Sequence, residues 1–334
     1  MYMRSKICLI FMLLIPVFFI KGNKVNAEDL GFSAQVIPPK TQIDKKTPYL
    51  DLQMSPSEKT RITVKVKNTS LEYPLKIHVN YSSAKTNSEG IVEYVPYDTP
   101  IDQSLRFNFE NIVEGPSDFE LAPNEQKDLF FEIKMPREQF DGYIAGGIEL
   151  VQVVNNDSPD GVETEFSYII GAKISQNNNK VTEEIKYRNI QTGTQNNEPA
   201  IITSLANTSN DYIEGMEIDV SIKKRGTNKN LLTKSKKNMR MAPNSMILFP
   251  VKIDNKAVTT GKYTATIQVK TKEGFQDKWT KAFFLNLKND GKYQISTPKE
   301  KMRNHYGKKI FLVVVVIVTL GVGCSVMIFR KIRR

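Results

Sequence analysis

The sequence predicts an all-β protein: two tandem immunoglobulin-like β-sandwiches followed by a single C-terminal transmembrane helix. Three observations carry this. Apolar and polar residues alternate with period two, as in Ile62, Val64 and Val66 against Thr63, Lys65 and Lys67, which is the pattern of half-buried strands. The alternating stretches fall into two sets that echo each other. An uncharged run of 20 residues, Ile310 to Phe329, lies close to the end of the chain.

The first 27 residues read as a secretory signal peptide. Arg4 and Lys6 make a positive start, Ile7 to Ile20 is an apolar stretch broken by Pro16, and Val25-Asn26-Ala27 offers a small-residue cleavage site. At the other end, Ile310 to Phe329 matches the thickness of a bilayer, and Arg330, Lys331, Arg333 and Arg334 resist translocation. The expected topology is a single pass with the C-terminus (330–334) in the cytoplasm and residues 28–309 outside. Those outer residues contain no cysteine, since the two in the chain are Cys8 and Cys324. An exported protein without disulfides must rely on apolar cores.

Within the outer region one plan occurs twice. Asn68-Thr69-Ser70 closes one alternating strand and Asn207-Thr208-Ser209 closes an apolar run. Ala122-Pro123-Asn124 and Ala242-Pro243-Asn244 each precede a strand, and Asp141-Gly142-Tyr143 is matched loosely by Thr260-Gly261-Lys262. These echoes divide the chain into a first domain at 28–176 and a second at 177–289, each a sandwich of about seven strands. The first copy is longer between Asn-Thr-Ser and Ala-Pro-Asn, so it carries an insertion within 80–120. Residues 290–309, rich in Lys and Arg, are expected to form a polar stalk.

The net charge of +11 invites a nucleic-acid reading, which export makes implausible. The charge is also uneven. Residues 28–178 hold 14 basic against 24 acidic side chains, and residues 179–300 hold 21 against 12. Between Val220 and Ile253 there are nine basic residues and no acid: Lys223, Lys224, Arg225, Lys229, Lys234, Lys236, Lys237, Arg240 and Lys252. They read either as a solvated hairpin or as a patch for teichoic acid, anionic lipid or an acidic partner. Catalytic signatures are not evident: His78 and His305 are the only histidines, and there is no phosphate loop and no His-Glu-x-x-His. No cofactor or metal is expected, and the chain reads as a binding protein.

Two segments resemble a known family. Ala84-Lys85-Thr86-Asn87-Ser88-Glu89-Gly90 with Tyr94 is similar to one hallmark of WxL-interacting proteins, and Phe140-Asp141-Gly142-Tyr143-Ile144-Ala145-Gly146-Gly147-Ile148 resembles a second. Val36-Ile37-Pro38-Pro39, Gln42 and Tyr49-Leu50-Asp51-Leu52 are similar too, with Thr41 where the family pattern has asparagine. The resemblance implies that the first domain binds peptidoglycan, that the second binds other proteins, and that WxL-domain surface proteins of the Gram-positive envelope are the partners. An adhesin gripping a host ligand, and a cell-wall hydrolase, are the alternatives. Residue by residue, Asn87 to Gly90 suits a type I turn, so the stretch is either a hairpin tip or a ligand loop presenting Thr86, Asn87, Gly90 and Tyr94. Gly146 and Gly147 weaken the strand they sit in, so something must approach its backbone closely. That something is either a facing side chain or a ligand.

Overall fold

The computed structural model describes residues 31–153, 166–253, 258–287 and 292–296. The first domain contains β1 (Phe32–Ile37), β2 (Leu50–Gln53), β3 (Lys59–Asn68), β4 (Leu75–Ser83), β5 (Lys85–Thr86), β6 (Val92–Glu93), β7 (Val113–Glu114), β8 (Asp118–Leu121), β9 (Gln126–Lys134), β10 (Tyr143–Gln152) and β11 (Ser167–Ser175). They form a four-stranded sheet in the order β1-β3-β9-β7 and a five-stranded sheet in the order β2-β11-β10-β4-β8. β5 and β6 pair only with each other. The alternation of the sequence becomes alternation of burial: Ile62, Val64 and Val66 of β3 are buried while Lys65 and Lys67 reach water. With Leu129, Phe131 and Ile133 of β9, they join Ile77 and Val79 of β4 and Ile148 and Leu150 of β10 in one apolar cluster shared by both sheets. Each such side chain contributes roughly 1.5–3 kcal/mol when removed from water.

The second domain repeats the scheme with β12 (Ile185–Gln195), β13 (Glu198–Asn207), β14 (Ile213–Lys224), β15 (Leu232–Met241), β16 (Met246–Lys252), β17 (Gly261–Lys270), β18 (Gln276–Leu287) and β19 (Tyr293–Ser296). Its sheets run β12-β13-β16 and β15-β14-β17-β18-β19, again over a single apolar cluster. The strand numbers exceed the expected seven. In the first domain the extra strands are short pieces within and just after the insertion. In the second, Tyr293 to Ser296 fall inside the expected stalk, yet pair with Leu287 to Phe284. Tyr293 and Ile295 pack against the core, which is why this stretch stays with the sheet. The expected signal peptide, the expected C-terminal span, and the expected stalk apart from residues 292–296 lie outside the described residues. No described helix is long and apolar enough to cross a membrane.

The repeated Asn-Thr-Ser and Ala-Pro-Asn motifs have one physical cause. Asn68 is wholly buried, and its amide donates to the carbonyls of Tyr73 (2.8 Å), Leu121 and Ala122 (3.0 Å). Its side-chain oxygen accepts from Ser70 N at 2.9 Å. Asn207, also wholly buried, donates to Asp211 O (2.7 Å) and Ala242 O (2.9 Å) and accepts from Ser209 N and Oγ. In each domain one asparagine ties a strand end to the Ala-Pro-Asn turn, whose own Asn124 or Asn244 takes a left-handed conformation (φ 56° and 51°). Asparagine is among the few residues that tolerate that region.

The insertion is equally plain. β14 passes to β15 across residues 225–231, whereas β4 passes to β8 across residues 84–117. Those extra residues hold β5, β6, a single 3-10 turn at Phe109–Asn111 and β7. They do not lie free; they reach the second domain.

Candidate functional site

Gly146 and Gly147 of β10 mark where the insertion crosses its own sheet. A methyl group on Gly146 would lie 2.1 Å from the ring of Phe109, and one on Gly147 would lie 2.1 Å from the carbonyl oxygen of Tyr94. The close approach expected from sequence is therefore made by the chain itself, through one fully buried ring and one backbone segment. Across from Gly147, a methyl group on Gly171 of β11 would meet the Tyr94 ring at 3.7 Å. The glycines thus fix where Tyr94 stands.

From there the β5–β6 hairpin docks on the second domain. Its turn is built as expected: Gly90 N donates to Asn87 O at 3.0 Å, Asn87 Oδ1 accepts from Glu89 N and Ile91 N, and Gly90 has φ +71°. Thr86 is fully buried, with its hydroxyl 2.6 Å from Ser245 Oγ and accepting from Ala242 N at 3.0 Å. The Gly90 carbonyl accepts from Arg240 N at 2.8 Å, where β15 ends the edge of its sheet. A side chain at Gly90 would strike Met239 at 2.4 Å. Glu89 pairs with Lys236, which holds its carboxyl below the usual range. A second tether runs from the Asp141-Gly142-Tyr143 motif, where Tyr143 N donates to Asn210 O at 2.6 Å and Gly142 (φ +88°) packs on that same carbonyl. Of the expected site residues, then, Thr86 and Gly90 are committed to the seam between the domains, Asn87 to its own turn, and Tyr94 to the lip of a cleft.

A two-point polar contact of the seam is Asp102 with Arg188 of β12, joined through Nε and one terminal nitrogen at 2.7 Å each. Asp102 is 3 % exposed. Burial opposes its charge, but hydrogen bonds from Arg188 and Ser104 outweigh burial and hold the carboxyl below its ordinary value. A depressed folded-state value means that this stabilisation is complete above the unfolded value, about 3.9, and is lost as pH falls through the lower folded one. Asp102→Asn removes the charge and one of the two bonds, so it should weaken the seam by about 1–2 kcal/mol at neutral pH. Urea unfolding of wild type and variant checks this: the two curves should differ at pH 7 and draw together as pH falls below about 4. A constant difference across that range excludes the role.

Beside the seam opens a cleft of about 950 Å³. Tyr49, Tyr94, Tyr143, Tyr212 and Phe275 line it, together with Lys173, Lys180, Glu183, Asp211, Glu214, Glu273 and Arg240. The Tyr94 and Tyr212 hydroxyls are 3.1 Å apart. Burial, with Tyr94 as neighbour, pushes Tyr212 well above the usual phenol value, so it stays neutral. Arg240 is held by Glu214 at 2.7 Å, Lys180 by Glu273 at 3.2 Å, and the Lys173 ammonium lies 4.1 Å from the centre of the Tyr143 ring. Burial raises Glu183 and Asp211 above the ordinary carboxylate range. Flat rings with hydroxyl edges, beside unpaired acids, can stack on C–H faces and accept hydrogen bonds from amides, amines and sugar hydroxyls. Among the described residues no group of His, Cys, Asp and Glu could hold a metal ion.

Two family models match in series: residues 32–152 fit the WxL Interacting Protein peptidoglycan binding domain, and residues 159–296 fit the WxL Interacting Protein host binding domain. The chain belongs to the WxL-interacting protein family. With one domain of each kind it is a cell-surface binding protein whose partners are peptidoglycan and a host protein or other surface partner. Among curated proteins none matches the chain. Among solved structures it is similar to the Pseudomonas aeruginosa CupB2 chaperone at 11 % identity, over 66 % of this chain and 92 % of that one (TM-score 0.26). It is similar also to the Salmonella enterica SafA pilin in complex with the SafB chaperone at 12 %, over 75 % and 95 % (TM-score 0.30). Such slight likenesses bear on neither fold detail nor function.

The second family model begins at residue 159 and so takes in β11, which in this WxL-interacting protein is hydrogen-bonded between β2 and β10 of the first domain. The cleft therefore draws on both matched regions. Four of the nine basic residues of the second-domain run are answered by acids outside it: Lys236 by Glu89, Lys237 by Glu217 (3.1 Å), Arg240 by Glu214 and Lys252 by Glu198. Lys234 and Lys236 stand opposite Val220 and Ile218, on the core-facing side of edge strand β15, and Lys234 lies 4.7 Å from the Phe249 ring centre. Inward lysines on an edge strand discourage pairing with another chain. Lys223, Lys224, Arg225 and Lys229 gather around the β14–β15 turn with no carboxylate partner among the described residues. Sequence reasoning missed Tyr49, Tyr212, Glu183, Asp211 and Arg188. Tyr49 and Tyr143, which lie inside family-like stretches, carried some signal.

Proposed function

We propose that this WxL-interacting protein attaches to peptidoglycan through the tyrosine cleft and holds a WxL-domain surface protein on its second domain, without catalysis. The observation that carries the reading is the cleft itself: four tyrosines from both domains meet there, and the family's first hallmark positions one of them. The reading keeps an immunoglobulin-like plan for each domain, export by residues 1–27 and anchoring by residues 310–329, which proteolysis of intact cells tests by whether the ectodomain is shed. Exposed Tyr49 and half-buried Tyr143 can be changed without opening a core. Replacing both by alanine should lower retention of the full-length protein on insoluble peptidoglycan roughly five- to a hundredfold, since stacked rings are worth about 0.5–1.5 kcal/mol each beyond their area. Undiminished retention removes the cleft from the reading, and failure of the wild type to bind peptidoglycan removes the reading. A second reading, an adhesin with a host ligand on the second domain, is favoured by the description of the model matching residues 159–296. Binding to host matrix that persists without any WxL protein would select it.

A further inference from the structure

We infer that the β14–β15 turn of the second domain is a lipid-contact surface: Lys223, Lys224, Arg225 and Lys229, joined by Lys262 of β17, rest on anionic phospholipid headgroups of the membrane that holds the chain. The inference rests on anchoring by residues 310–329. Two independent observations carry it, the unanswered charge of the turn and the path of the chain beside it.

Folding gathers these cations at one tip. Lys224 pairs with Tyr263 across β14 and β17, and Arg225 N donates to Lys262 O at 2.8 Å. The turn is closed by Thr227, whose N and Oγ1 donate to Lys224 O at 3.2 and 2.8 Å. Lys224, Arg225, Lys229 and Lys262 are exposed and Lys223 is half-buried. Beyond its own chain neighbours, nothing stands within 4 Å of where a side chain on Gly226 (φ +87°) would begin, so the tip projects into solvent. None of the five meets a carboxylate among the described residues; Lys224 Nζ donates to the Thr259 hydroxyl at 3.2 Å. In sequence the connections at this end, residues 196–198, 223–231, 252–262 and 287–293, hold nine Lys or Arg against three acids. A projecting cluster of one sign is drawn to a surface of the other, and each cation near an anionic bilayer is worth about fivefold in affinity.

The chain's path selects the bilayer as that surface. β14 begins at Ile213, opposite Met241 and next to the Ala-Pro-Asn turn on which the first-domain hairpin lands, and it ends at Lys224. The cations therefore stand at the far end from that landing place. The last described strand finishes level with them: Ser296 lies opposite Phe284, and Phe284 opposite Lys262. Three strand spacings, about 14 Å, separate Ser296 from β14. Residues 297–309 then lead to the apolar run that begins at Ile310, a reach of at most about 45 Å. A wall polyanion could approach any face of the ectodomain. Only the bilayer is tethered by the chain itself beside this one.

The test places the full-length protein in vesicles of phosphatidylcholine alone or of an equal mixture with phosphatidylglycerol. A fluorophore on Asn228→Cys, in a chain whose Cys8 and Cys324 are serine, reports energy transfer to acceptor-labelled headgroups. Transfer should be about twofold higher on the mixed vesicles. It should return to the neutral-vesicle value in 1 M salt, where charges are screened beyond about 3 Å. Replacing Lys223, Lys224, Arg225 and Lys229 by Glu should abolish the difference, and the milder pair Arg225→Gln with Lys229→Gln should reduce it if the fourfold variant does not fold. Equal transfer on both vesicles, or a difference that survives the substitutions, overturns the inference and leaves anchoring standing. A tip that ignores phosphatidylglycerol but binds free poly(glycerol phosphate) overturns it in favour of a wall polymer. Protein that floats with neither vesicle overturns anchoring, and the inference with it.

Discussion

Replacing Asn207 by alanine is expected to destabilise the second domain by roughly 3–5 kcal/mol, a large share of a domain's stability. The side chain is wholly buried and makes four hydrogen bonds, to Asp211 O, Ala242 O, Ser209 N and Ser209 Oγ. Alanine leaves both carbonyls and the Ser209 amide facing protein rather than water, and each stranded buried group costs about 1–3 kcal/mol. The effect should spread. Ala242 N is a donor to Thr86 and Ser245 Oγ is bonded to Thr86, so the turn that Asn207 holds is also the landing place of the first-domain hairpin. Denaturant unfolding should show the second-domain transition moved to lower urea and the two domains unfolding apart. Asn207→Asp keeps the acceptor but sets a buried carboxylate oxygen against the Asp211 and Ala242 carbonyls, so it should be at least as destabilising as alanine at neutral pH. Asn207→Ala with an unmoved midpoint would show that the repeated motif is only a local turn.

The folds of both domains were legible because their cause is local. Period-two alternation survives from sequence to burial in β3, β9 and β17, and the Asn-Thr-Ser and Ala-Pro-Asn echoes are buried ties that each domain needs separately. The type I turn at Asn87 to Gly90 was legible for the same reason, since Asn87 forms it with its own neighbours. What the turn touches was not. Thr86 meets Ser245, Glu89 meets Lys236, and Asp102 meets Arg188, each across more than 80 positions, and no spacing rule reports a contact at that range. The basic run was only partly legible for the complementary reason. Counted along the chain it has no acid, yet Glu214 and Glu217 on neighbouring β14 and Glu89 on the hairpin stand beside it in space. Tyr94 was singled out from the sequence, but its meeting with Tyr49, Tyr143 and Tyr212 was not legible, because four separate segments bring them together and a lone tyrosine in a strand reads as core or surface equally well.

Gly147→Ala and Gly171→Ala should behave in opposite ways, although the two glycines face each other across β10 and β11. At Gly147 the new methyl would stand 2.1 Å from the Tyr94 carbonyl oxygen and 2.9 Å from its Cβ. The obstacle is backbone, which cannot swing aside as the tip of a side chain can. Either β10 shifts within a sheet bonded on both edges, or the insertion lifts away; overpacking of this kind costs roughly 1–3 kcal/mol and occasionally more. Lifting Tyr94 also parts its hydroxyl from Tyr212 and removes one wall of the cleft. At Gly171 the methyl meets the Tyr94 ring at 3.7 Å, an ordinary contact, and alanine restricts the unfolded chain, so stability should hold or rise by about 0.4–1 kcal/mol. Melting curves and peptidoglycan retention measured together on both variants decide the matter. Gly147→Ala should lose both melting temperature and binding, with Gly147→Val worse, while Gly171→Ala should keep both. Equal behaviour of the pair would mean that the glycines serve the sheet alone, and that Tyr94 owes its place at the cleft to the Tyr212 contact rather than to the backbone beneath it.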